Sequence, residues 1–123
     1  MTERMIGVKV SITGYVGDDP QPGLVECELS DANGQVLRFV EKTAIVYSEY
    51  LDARSSYPQP GVIACEIVGR SCDAKGTEVV VIDTERPWGV ASVDGSTRFE
   101  VVPASLIEWD WGSKVTRAWE GWV

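Results

Sequence analysis

Apolar and polar residues alternate with period two along much of this chain, and no other feature restricts its fold as strongly. Val8, Val10 and Ile12 alternate with Lys9, Ser11 and Thr13. Val25, Cys27 and Leu29 alternate with Glu26, Glu28 and Ser30. Ile63, Cys65 and Ile67 alternate with Ala64, Glu66 and Val68, and Phe99 and Val101 with Arg98 and Glu100. Successive side chains of a strand point to opposite faces, so each run describes a strand with one buried and one solvated face. No window of a dozen residues carries the 3.6-residue period of a helix. Only Ser48–Arg54 and Pro103–Ile107 read as short helical turns.

Turn chemistry separates the runs. Asp31-Ala32-Asn33-Gly34, Asp73-Ala74-Lys75-Gly76 and Asp94-Gly95-Ser96 place Asn and Gly where a hairpin needs positive φ. Two segments also echo each other. Pro20-Gln21-Pro22-Gly23-Leu24-Val25-Glu26-Cys27-Glu28-Leu29 parallels Pro58-Gln59-Pro60-Gly61-Val62-Ile63-Ala64-Cys65-Glu66-Ile67. Each then reaches an Asp-Ala-x-Gly turn and a second apolar strand. The echo describes a repeated unit of Pro-rich entry, strand, turn and strand, near residues 20–41 and 58–83. The alternative is chance similarity within the common grammar of hairpins.

The layout that follows has a first strand near 5–15, a hairpin over 24–41 and a connector over 43–60. A second hairpin covers 61–84 and a third 89–102. About seven strands at this spacing describe an all-β single domain, either a small barrel of the SH3-like or OB-like kind or a sandwich. The turn at Pro103-Ala104-Ser105 resembles those that close many small barrels. Residues 1–108 form the barrel or sandwich, and residues 109–123 a tryptophan-rich C-terminal segment. At 123 residues a chain buries about two-thirds of its unfolded surface, enough for one core without disulfides or metal.

Composition narrows the chemistry. There is no histidine, which removes Ser-His-Asp and Cys-His nucleophile systems, His-ligated zinc and the usual base near neutral pH. Cys27, Cys65 and Cys72 are odd in number and form no C-x-x-C pair. Cys27 and Cys65 belong to apolar strand faces and are expected buried and unpaired, as in a reducing cytosol; Cys72 falls in a turn. Asp18-Asp19 and Asp83/Glu85 match no EF-hand loop, and Gly14-Tyr15-Val16-Gly17 is a strand end bounded by glycine, not a phosphate loop. No cofactor and no metal are expected. The N-terminal residues lack a signal-peptide pattern and no run approaches a membrane span, so a cytoplasmic chain without membrane contact is expected.

The formal net charge is −8, spread evenly between the two halves. Nucleic-acid affinity comes mainly from Lys and Arg neutralising phosphates, so no nucleic-acid partner is expected. Negative charge keeps a small protein soluble; it also favours a basic protein partner. Glu26 and Glu28 share the outer face of one strand, and Glu66 joins them if the two repeated hairpins lie side by side. Such a face suits electrostatic capture. The same acids also admit a carboxylate-only enzyme, which requires two acids converging in an apolar concavity with raised pKa.

Five tryptophans occur, four of them in the C-terminal segment: Trp109, Trp111, Trp119 and Trp122. They either fold back over the barrel or present an aromatic patch, which tryptophan suits by offering much apolar area with few rotors. Tyr57 belongs to the Pro-rich connector Ser55–Gly61, a loop able to carry binding. The expectation that follows is a non-catalytic, acidic protein-binding module, monomeric or homodimeric. Its concrete form is an inhibitor or immunity-type protein that blocks a basic toxin or nuclease. The rival is a structural or assembly protein that docks or self-associates through its tryptophan-rich end.

Overall fold

The structure is a computed structural model and describes residues 4–17, 23–46 and 51–110. Its strands are β1 (Arg4–Gly17), β2 (Leu24–Ser30), β3 (Val36–Lys42), β4 (Gln59–Cys72), β5 (Glu78–Asp83), β6 (Arg98–Val101) and β7 (Leu106–Asp110). Two 3₁₀ turns occupy Thr43–Val46 and Pro103–Ser105. The strands form one antiparallel sheet in the order β3-β2-β1-β4-β5-β6, curled into a half-barrel, with β7 pairing with β1. The chain is therefore all-β and barrel-like, one curled sheet and not two stacked layers. Among the described residues no helix is long and apolar enough to cross a membrane.

β1 organises the sheet. Its second half pairs with β2, Ser11 opposite Glu28. Its opposite edge pairs with β4 from Ile6–Cys65 to Ile12–Gln59. Its first five residues take β7, from Arg4–Asp110 to Val8–Leu106. β7 therefore runs two residues past the boundary at 108 drawn from the sequence. The register slips between Ile12 and Gly14, between Tyr15 and Gly17, and between Ile67 and Gly69. Each slip leaves one extra residue, Thr13, Val16 or Val68, and a bulge of this kind bends its strand and increases its twist. The exposed Val16 and Val68 are thus bulge residues.

The inner face carries the alternating apolar set: Val8, Val10 and Ile12; Val25, Cys27 and Leu29; Phe39; Ile63 and Cys65; Val80 and Ile82; Phe99 and Val101. Val46, Leu51 and Val90 add to this core from the connections. β4 departs from simple alternation, because Val62 and Ala64 are as buried as Ile63. Both faces of that stretch are covered, which its unbroken Val-Ile-Ala-Cys run permits.

β2–β3 and β4–β5 are both antiparallel hairpins, closed by turns of the same kind. Asp31 Oδ1 accepts from the N–H groups of Asn33 (2.9 Å) and Gln35 (2.8 Å). Asp73 Oδ1 accepts from Lys75 (2.9 Å) and Thr77 (2.9 Å). Gly34 and Gly76 close the turns at φ +80 and +81, where a Cβ is strained. At the third turn Ser92 Oγ accepts from Ser96 N–H at 3.1 Å, taking the role of the aspartate.

Three expectations are corrected. The segment 89–102 is no hairpin: β6 pairs with β5, and the connection between them is drawn back by Thr84. That buried hydroxyl donates to Val90 O at 2.6 Å, while Thr84 N–H donates to Thr97 O at 2.8 Å. Val90 then plugs the core, and no partner strand forms. Leu51–Arg54 is a turn, not helical, because Asp52 Oδ1 captures Arg54 N–H at 2.8 Å; residues 48–50 lie outside the described set, and the 3₁₀ turn comes earlier, at Thr43–Val46. The turn at Pro103 ends at Ser105, because Leu106 is already extended and opposite Val8.

Cys27 and Cys65 are buried free thiols and Cys72 is an exposed one. Burial, with the negative charges of Glu41 and Glu26 second, pushes the Cys27 thiol up to about 12. Burial, then Glu66, does the same for Cys65. Native protein treated with a disulfide reagent near pH 8 should therefore modify Cys72 fast and the other two only on unfolding, because the thiolate is the nucleophile. Rapid modification of all three would overturn the core register.

Candidate functional site

The curled sheet ends in two strands, β3 and β6, which approach each other along a seam. Two backbone bonds close it, one from the β2–β3 turn to β6, Ala32 N–H to Glu100 O at 2.8 Å, and one from the β5–β6 connection to β3, Val93 N–H to Arg38 O at 2.8 Å. Inside, Phe39 of β3 meets Phe99 of β6 edge to face, with ring centroids 5.6 Å apart. An open cleft of about 540 Å³ lies at the seam. Leu37 and Phe99 contribute apolar lining, and Asp31, Asp94, Glu100 and Arg98 charged lining.

Each acid reaches the cleft by a different route. Asp31 is fixed by its two turn bonds. Asp94 accepts from Ser92 Oγ and from Ser96 N–H, and the bond from Ser92 is the main cause holding its carboxyl below the usual range. Glu100 is an exposed residue of β6, held next to the β2–β3 turn by the Ala32 bond. Arg98 is turned to Asp83, with Nε to Oδ2 at 3.2 Å. Three carboxylates thus stand beside one guanidinium that already has an acidic partner.

The acids singled out from the sequence do not form one patch. Glu26 and Glu28 lie on the outer face of β2, both half-buried. Arg38 of β3 stands directly opposite Glu28 and forms an ion pair with Glu26. Thr13 Oγ1 also donates to Glu26 O at 3.2 Å. β1 separates the two repeated hairpins, so Glu66 is not brought alongside. Ser11 faces both Glu28 and Pro60, and Glu66 lies six residues further along β4, roughly 20 Å at strand rise. Its cross-strand neighbour is Asp83. Glu66 instead lines a second cleft, of about 410 Å³, with Met5, Ile6, Cys65, Ile67 and Pro87.

Tyr57 braces its connector. Its hydroxyl donates to Asp52 O at 2.7 Å and it packs against the core cluster. Burial raises its pKa, opposed by the hydrogen bond with Ser55. Trp109 stands opposite Met5 in the β1–β7 ladder, and its side chain is outside the described set. Trp111, Trp119 and Trp122 lie outside the described residues.

Glu41, on the inward side of β3, has its carboxyl raised by burial but lines neither cleft, and Asp94 is shifted the other way. Among the described residues no group of three or more Cys, Asp or Glu side chains is placed to hold a metal ion.

Sequence reasoning found Asp31 and Asp94 as turn formers and Glu100 as an alternating strand residue. It missed their proximity, because only the return of β6 to the β2–β3 turn brings them together. Compared with known protein families, curated sequences and solved structures, the chain finds no match.

Proposed function

We propose that this chain is a non-catalytic module that binds a basic protein, in the manner of an inhibitor or immunity-type protein blocking a basic toxin or nuclease. The observation that supports the reading is the seam cleft, where Asp31, Asp94 and Glu100 outnumber Arg98 around an open surface with some apolar lining. Two of these carboxylates are held in place by their own turns, so little side-chain entropy is lost when a cationic partner meets them. The net charge of −8 adds long-range attraction, which speeds encounter with a positive surface and fades as salt screens it. Glu26 and Glu28 contribute less, because Arg38 already balances part of their charge.

The test uses immobilised full-length chain and a variant carrying Asp31→Asn and Glu100→Gln. Asparagine keeps the turn acceptor and removes the charge. Extract from the source cells is applied at low and at high salt, and retained proteins are identified by mass spectrometry. Basic proteins should be retained at low salt, released at high salt and depleted on the variant, with association slowed on the order of tenfold. Retention of only neutral or acidic proteins, or an identical set on both surfaces, would overturn the reading.

The acids also set a pH response with two signs. Asp94 has a folded-state pKa below its ordinary 3.8, so its contribution to stability is present above that pH and is lost as pH falls through the folded value. Asp94→Asn should lower the melting temperature at pH 7, and the gap to the parent should narrow in acid. Glu41 is raised above 4.5 by burial, so its protonated form favours the fold and that advantage disappears as pH rises through the folded value. Glu41→Gln should therefore stabilise at pH 7 and have little effect in strong acid. Melting curves across this range check both, and the same sign for both would refute the assignment.

A further inference from the structure

We draw no further inference here: the strongest candidate, the exposed valine patch of Val36, Val40 and Val93 beside the outer edge of β3, is an unpartnered apolar face with nothing in the structure to show what covers it.

Discussion

Phe39→Ala is expected to destabilise the fold by about 3–5 kcal/mol, the usual cost of emptying a buried aromatic site. For a domain of this size that is roughly 10–20 °C in melting temperature. Phe39 is fully buried and is among the largest side chains in the core. Its edge-to-face contact with Phe99, at an interplanar angle of 63°, joins strands at opposite ends of the sheet, so the loss falls where the ladder is sparsest. Phe39→Leu keeps part of the volume and should cost less than half as much. Urea unfolding followed by circular dichroism measures both. A loss under about 1.5 kcal/mol for the alanine variant would be small for such a truncation and would mean that the two strand ends hold together without this ring.

The second large effect concerns a pair of glycines at matching positions of the repeat, Gly23 and Gly61. Both stand against side chains of β1. A Cβ on Gly61 would lie 2.8 Å from Ile12 Cδ1 and Cγ1 and 3.2 Å from Val10 Cγ2. Ile12 is fully buried. A Cβ on Gly23 would lie 2.8 Å from Tyr15 Cε1 and 2.9 Å from Cζ, at a backbone φ of +130. Overpacking costs about 1–3 kcal/mol, and left-handed backbone strain on a residue with a side chain costs a similar amount. Gly61→Ala is thus expected to cost about 2–3 kcal/mol, and Gly23→Ala at least as much.

A double-mutant cycle separates the clash from a general loss. Ile12→Ala opens a cavity, and combining it with Gly61→Ala should fall short of additivity by about 1 kcal/mol or more. Strict additivity would show that the two side chains do not compete for the same space. The repeated Pro-Gly acquires a physical meaning from this. Near its start each of these strands passes close to a β1 side chain, where glycine leaves room.

Most of the sheet was legible because its signals are local. Val8-Lys9-Val10-Ser11-Ile12 carries its buried face in its own alternation, and Asp31 and Asp73 carry their turns in their own carboxylates. The third hairpin does not form: Asp94-Gly95-Ser96 does mark a turn, but Thr84 and Val90 decide that no strand precedes it. That decision rests on a hydroxyl bonded to a carbonyl six residues away, which no periodicity records. The acidic face failed for a related reason. Alternation correctly puts Glu26 and Glu28 outside, but it is silent on which strand lies next to which. Once β1 separates the repeats, Arg38 and not Glu66 becomes their neighbour. The seam cleft was hidden entirely, since Asp31 and Glu100 meet only through the curl of the whole sheet.

The central position of β1 also shapes the route by which the chain reaches this structure. The two repeated hairpins close short loops and can form early at small entropic cost. Pairing β1 with β4 joins Ile12 to Gln59, and pairing it with β7 joins Arg4 to Asp110, so both must close loops spanning much of the sequence. Each doubling of loop length adds about 0.6 kcal/mol, and folding slows as contacts become less local. Folding should therefore take milliseconds to seconds, with preformed hairpins waiting for a strand that none of them can replace. Substitutions in β1 should slow folding, whereas those at the β3–β6 seam should mainly hasten unfolding.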